Sequence, residues 1–162
     1  MISRFLFTVT FVTALGCGLI AGLFFAFSVA VMQALARLPA ASGMSAMQAI
    51  NSAILNPLFL VVFLGTGAGA VLVMVTALLH WQSPSSVYFI IGGMLYLVGS
   101  LGVTIVCNVP KNDALASVAP AHPDSAGLWD SYVRRWTAWN HVRTVASLAA
   151  EAALLLGLWY RG

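Results

Sequence analysis

Charge is what this sequence has least of. Only 7% of its 162 residues are Asp, Glu, Lys or Arg, and 61% are hydrophobic, whereas roughly a quarter of a soluble domain is charged. No charged side chain occurs from Phe5 to Ala36, and none from Leu38 to Pro110. Each gap exceeds the roughly 20 apolar residues that a helix needs to cross a bilayer, so a water-soluble globule is excluded and an integral membrane protein is expected. The net charge of +3 comes from seven basic and four acidic residues with no basic run. Nucleic acid is therefore not an expected partner, because phosphate backbones are held by clustered lysines and arginines.

Metal-ligating residues are equally few. The histidines are His80, His122 and His141; there is no His-x-x-x-His or Glu-x-x-His pair, no Cys-x-x-Cys, and the four carboxylates are scattered. Such spacing does not suit a metal site, and no metal or cofactor is expected. His80 and His141 fall near opposite membrane faces, too far apart to clasp one haem. His141 with His122, through the loop between them, keeps a haem or metal site open. Cys17 and Cys107 both lie inside predicted spans and read as small buried residues, not as a disulfide.

What is present is apolar and helix-forming. Met1 to Arg4 before a long apolar run, with Ala34-Leu35-Ala36 further on, has the outline of a secretory signal. A signal's apolar core is about 7–15 residues, and this one is about twice that, so a retained helix over 5–36 is predicted. A short helical stretch, MSAMQAIN (44–51), follows. The second span runs from Pro57 to His80, since proline suits a first helical turn and Asn56 can cap it. WQSPSS (81–86) makes a tight turn. The third span covers Val87 to Asn108, and NVPKND (108–113) stops it. After a polar loop with Pro120, Pro123 and Gly127, the fourth runs from Leu128 to Tyr160, its first two turns clear of the hydrocarbon. The expected fold is all-α, an integral membrane four-helix bundle with a short extra helix between the first two spans, in a single domain over 1–162 without internal repeats.

Four crossings put both termini on one side, with Arg4 and Arg161. The other side carries Arg37, Lys111, Arg134, Arg135 and, near the boundary, Arg143. By the positive-inside rule that other side is cytoplasmic and the termini are periplasmic, in a bacterial inner membrane. Helices in lipid associate through small residues and hydrogen bonds. Gly18, Gly22 and Ala26, Gly65 and Gly69, and Gly92 and Gly99 are predicted to serve that packing, and they leave a homo-oligomer open. LFFAF (23–27) reads as a lipid-facing or packed stripe.

The polar residues sort by side. Asn51 and Asn56 precede the second span, Asn108 and Asn112 follow the third, and Asn140, His141 and Arg143 lie near the start of the fourth, so the topology brings all seven to one membrane boundary. Within the fourth span, at about 100° per residue, Trp136, Asn140, Arg143, Ser147 and Glu151 share an arc of roughly 80°. This line descends into the bilayer, where ionisable groups are costly and face the bundle interior; it is either a functional stripe or structural polar glue. Asp130 and Arg134 are spaced for an i,i+4 pair. Trp129, Arg134 and Arg135 read as an interfacial rim. Glu151 lies roughly 12 Å below Arg143, too far for direct contact, and reads as a buried carboxyl bonded to a neighbouring helix, such as at Tyr96 or Thr104.

GLFFAFSVAVMQAL, MQAINSAILNPLF, NVPKNDAL and WTAWNHVRT, in this order along the chain, resemble the anthrone oxygenase family of small four-helix membrane proteins. The resemblance spans nearly the whole chain. It implies oxidation of a lipophilic aromatic, anthrone-type substrate by dioxygen without a cofactor, with membrane lipid, the aromatic small molecule and dioxygen as partners. Many bacterial relatives have no assigned activity. Gln33 stands where the family's pattern has proline, and Glu151 is outside the recognised motif. Such a reaction needs a base, a group that stabilises an enolate oxygen and an apolar slot. His141 is the natural base. Arg143 and Asn140 suit the oxyanion. Trp136, Trp139, Tyr96, Asn51, Asn56 and Asn108 suit substrate binding. The alternative is a non-enzymatic membrane module that binds a small molecule or an assembly partner at the same polar mouth, with haem or metal binding as a lesser one.

Overall fold

A computed structural model describes residues 2–79, 81 and 85–160. His80, Arg161 and the middle of the expected WQSPSS turn lie outside the described residues. Five helices carry the chain, and no strand occurs among the described residues. Helix α1 comprises Ile2–Ala26, a π-helical turn over Phe27–Val31, and Met32–Ala36. Helix α2 is Ala40–Ala53 and α3 is Pro57–Leu79. Helix α4, Ser86–Ala116, contains π-helical stretches over Leu95–Gly102 and Thr104–Asn108. Helix α5 is Ser125–Trp159. All but α2 are long and apolar enough to cross a membrane.

The polarity of the molecule is inverted relative to a soluble bundle. Leu58 and Val106 are 75% and 72% exposed, while Thr10, Ser28, Ser100, Asn140 and Ser147 are buried. In water such an apolar exterior would aggregate; in lipid it is solvated. Inside, most hydroxyls are satisfied by their own helix, Thr10, Thr13 and Thr66 each donating to the carbonyl four residues back, as backbone-like economy in a dry interior requires.

The long helices form a ring in the order α1, α3, α4, α5, and α5 runs along both α1 and α4. α2 lies across one end, against α5 and the ends of α1 and α4. Asn56 caps α3 as expected, its Oδ1 accepting from Phe59 N at 3.0 Å. Three boundaries differ from expectation, one of them the start of α5, at Ser125 instead of Leu128. α2 starts four residues early, because Pro39 is extended (ψ 139°) and its carbonyl accepts from both Ser42 N and Gly43 N. α4 passes through NVPKND instead of stopping there. Pro110 falls in the first turn of the segment Val109–Ala116, where its missing N–H costs little, and Lys111 Nζ donates to the Cys107 carbonyl at 2.6 Å.

Two buried clusters fill the interior. Cys17, Ile20, Phe24, Phe63, Val73, Phe89, Tyr96 and Leu154 lie in the first, and Met32, Met44, Met47, Leu115, Trp129, Tyr132 and Trp136 form the second under α2. Both cysteines are free. Trp129 is thus a core residue and not part of a rim, because its indole lies against Gly43 of α2. Arg134 and Arg135 are exposed, and Arg134 pairs with Asp130.

The glycines divide. Gly92 meets Leu154 and the Ala150 carbonyl, Gly99 meets Ala146, Gly69 meets Thr13, and Gly18 meets the Glu151 carboxyl. Gly22 and Gly65 have open space where a Cβ would stand, so they do not serve the packing expected of them. A Cβ at Gly99 would sit 2.5 Å from Ala146 Cβ, with no flexible side chain to yield. Gly99→Ala should therefore destabilise by about 1–3 kcal/mol through overpacking, whereas Gly65→Ala should be neutral or stabilising through helix propensity. Thermal unfolding of both variants in the same detergent checks the contrast; equal behaviour would be inconsistent with this seam.

Candidate functional site

The inner line of α5 is buried as its spacing implied: Trp136, Asn140, Arg143 and Ser147 face the interior, and Tyr132, not read as part of it, extends it by one turn. Glu151 continues it at partial burial, lying over Gly18. The expected partners of Glu151 are engaged elsewhere. Tyr96 OH donates to the Phe63 carbonyl at 2.9 Å, and Thr104 Oγ1 donates to the Ser100 carbonyl at 2.7 Å.

Arg143 is 5% exposed. Its Nη2 donates to Asn140 Oδ1 at 2.6 Å and its Nη1 to Thr104 Oγ1 at 3.2 Å, while Nε is buried with no partner among the described residues. The guanidinium carbon stands 4.1 Å from the centroid of the Phe24 ring and 5.2 Å from that of Trp136. Among the described residues no carboxylate pairs with it. A buried cation is ordinarily matched by an anion because desolvation is costly. Here amide, hydroxyl and π-electron density do that work.

Asn140 is the fastening. Its Nδ2 donates to the Phe24 carbonyl at 2.6 Å and to Ser28 Oγ at 2.7 Å, at the edge of the π-helical turn of α1. Both amide hydrogens are consumed on α1 and the oxygen on Arg143, so Asn140 acts through Arg143 and has no donor left for a ligand. Above it, Asn112 Oδ1 accepts from Tyr132 OH at 2.9 Å and from Trp136 Nε1 at 2.8 Å. Asn51 Nδ2 reaches Tyr132 OH at 3.5 Å.

These groups surround a cavity of about 420 Å³, within the roughly 300–1,000 Å³ usual for small-molecule sites. α1 contributes Phe24 and Phe27, α2 Met47, Gln48 and Asn51, α3 Phe59, α4 Thr104, Asn112 and Asp113, and α5 Trp136 and Arg143. The walls are mainly apolar, with a cation on one of them. LFFAF is accordingly part cavity wall and not only a packed stripe.

Of the residues expected at the site, Asn51, Trp136 and Arg143 line this cavity. The others do not. His141 is exposed, in the same outward row of α5 as Val145 and Leu148; it lies one residue, hence about 100°, from Asn140, which turns it away. Trp139 and Asn56 are also exposed. Tyr96 is fully buried beneath, held by Phe63. Asn108 is buried, donating to the Trp136 carbonyl at 3.2 Å and leaving its Oδ1 unpaired. Phe24, Phe59 and Asp113 join the lining without a signal read from the sequence, and Asn112, expected at this membrane boundary, turns out to line the cavity. The four-residue spacing of Thr104, Asn108 and Asn112 was the available signal, hidden by taking Pro110 as a stop. His122 sits on the loop before α5, with Nδ1 accepting from Asp124 N at 3.2 Å. Among the described residues no three of His, Cys, Asp and Glu gather as metal ligands would.

The model of the anthrone oxygenase family matches residues 57–153, from the first turn of α3 to the last turns of α5. No curated protein and no solved structure matches. The matched stretch is more than half of the chain and includes Thr104, Asn112, Trp136 and Arg143, so the chain belongs to the anthrone oxygenase family.

Proposed function

We propose that this protein is a membrane-embedded oxygenase that oxidises a flat, lipophilic ring ketone of the anthrone type with dioxygen and without a cofactor. The observation that carries this reading is Arg143: a buried guanidinium with no carboxylate partner among the described residues, at the wall of an apolar cavity. The family membership and four apolar helices support it.

In this reading the ketone oxygen lies at Arg143 and the rings lie between Phe24, Phe27, Phe59 and Trp136. A base removes one proton from the ring methylene opposite the ketone, and Arg143 stabilises the enolate oxygen that forms. The electron-rich enolate passes one electron to dioxygen, giving a ring radical and superoxide. These combine through a new carbon–oxygen bond. The base returns its proton to the resulting peroxide, whose outer oxygen leaves as water with that proton and the remaining hydrogen of the ring carbon, and a second carbonyl is left. One dioxygen is consumed, one of its atoms stays on the ring and the other leaves as water. No metal is required at any step.

The base assigned from the motif, His141, faces outward. The carboxylate that lines the cavity is Asp113, and the proton falls to it here. General-base removal is worth about 10²–10⁴-fold, so Asp113→Asn should lower kcat by at least about a hundredfold, while His141→Ala should change it by less than about threefold. The reverse pattern would restore His141 to the role. Arg143→Met should cut kcat/KM by about 10²–10³-fold. All three are read as anthrone-dependent dioxygen consumption in proteoliposomes. The binding-only alternative draws on the outward His141, and wild-type protein that binds anthrone without consuming dioxygen would establish it in place of the oxygenase.

A further inference from the structure

Most polar groups around the cavity are spoken for. Gln48 Nε2 donates to the carbonyls of Leu115 at 2.8 Å and Val118 at 3.0 Å, and Thr104 is tied to Ser100 and Arg143. Asn112 differs. Its Oδ1 takes two hydrogen bonds, from Tyr132 OH and Trp136 Nε1. An indole nitrogen can only donate, so turning the amide round would set donor against donor. The orientation is fixed by chemistry, and it leaves Nδ2, with two N–H donors, unpartnered among the described residues on a side chain that lines the cavity.

Two further features point the same way. The contacts from Asn51 to Tyr132 to Asn112 form a chain of donors, which polarises the amide and strengthens its remaining N–H groups. Trp136 touches both groups: the Arg143 guanidinium stands over its ring, and its nitrogen donates to Asn112 Oδ1. A flat ligand in the cavity beside this indole would meet both donors.

We propose that Asn112 Nδ2 is a second oxygen-binding point opposite Arg143, so that the cavity fits a ring compound with an oxygen at both edges. This rests on the reading above for the first oxygen at Arg143. The second position is where that chemistry adds its new oxygen, opposite the ketone. A single-oxygen substrate meets Arg143 alone, and the contact to Asn112 forms as the carbon–oxygen bond does, an interaction stronger after the ground state than in it.

The test is anaerobic equilibrium binding of anthraquinone, with two opposed carbonyls, and of anthrone, with one, to the purified protein in detergent. Wild type should bind anthraquinone about tenfold more tightly, the effect of one well-placed hydrogen bond. Asn112→Asp keeps an oxygen for Tyr132 and Trp136 and loses the donors. It should weaken anthraquinone about tenfold and anthrone by less than about twofold, whereas Arg143→Met should weaken both. Equal affinity of the wild type for the two ligands, binding of neither, or an equal effect of Asn112→Asp on both would overturn the proposal. The wild-type ratio decides even if that variant fails to fold. Discrimination as expected in a protein that consumes no dioxygen would uphold this inference and defeat the oxygenase reading.

Discussion

Arg143 carries its charge into the bundle interior with an amide, a hydroxyl and two rings for company, and the positions of three helices follow from that arrangement. A charged side chain at the centre of a membrane helix costs about 2.5–3.5 kcal/mol on insertion scales. A hydrogen bond to a charged group returns about 1.5–3 kcal/mol, and a cation over a ring about 0.5–2 kcal/mol. The bonds to Asn140 and Thr104 and the stacking on Phe24 are thus of the size needed to hold the cation without an anion. They also leave it uncompensated in charge, which a carboxylate partner would not.

That arrangement demands close helices. Arg143 reaches Thr104 because small residues line the seam between α4 and α5: Gly99 against Ala146, Gly92 against the Ala150 carbonyl, and Ser147 bonded to Ser100 at 2.9 Å. The π-helical turns flank the same contacts, Phe27–Val31 beside Asn140 and Thr104–Asn108 beside Arg143, as such wide turns often do at functional positions. At the open end α2 is secured by Gln48 to the carbonyls where α4 gives way to the loop before α5. The site is therefore framed by the bundle on one side and by a short amphipathic cover on the other.

The sequence made the spans legible because absence of charge over whole bilayer lengths has one physical meaning. The inward line Trp136, Asn140, Arg143 and Ser147 was legible too, since polar residues at helical spacing stand out on an apolar helix. The inner face of α1 carries only a thin polar signal, Thr10, Thr13 and Ser28, in the row of Phe24 and not of Phe25; one ring lies under a guanidinium and the other is exposed. Asn112 and Asp113 were placed beyond the end of a span because proline ordinarily stops a helix, and α4 admits it in a first turn after a π-helical stretch. The motif containing His141 suggested a role that its own helical angle opposes. The angle agrees with the structure, since an outward direction is set by backbone geometry whatever the residue could do chemically.

Three of the six methionines are gathered at one end of the molecule. Met32 of α1 is buried together with Met44 and Met47 of α2, and Met47 borders the cavity. Thioether chains are unbranched, polarisable and rich in torsional freedom. Phe24, Asn140 and Arg143, by contrast, are locked by short bonds and ring contact. The chamber is consequently rigid at its floor, where Phe24 and Arg143 hold their places, and compliant at its ceiling, where the methionines can repack.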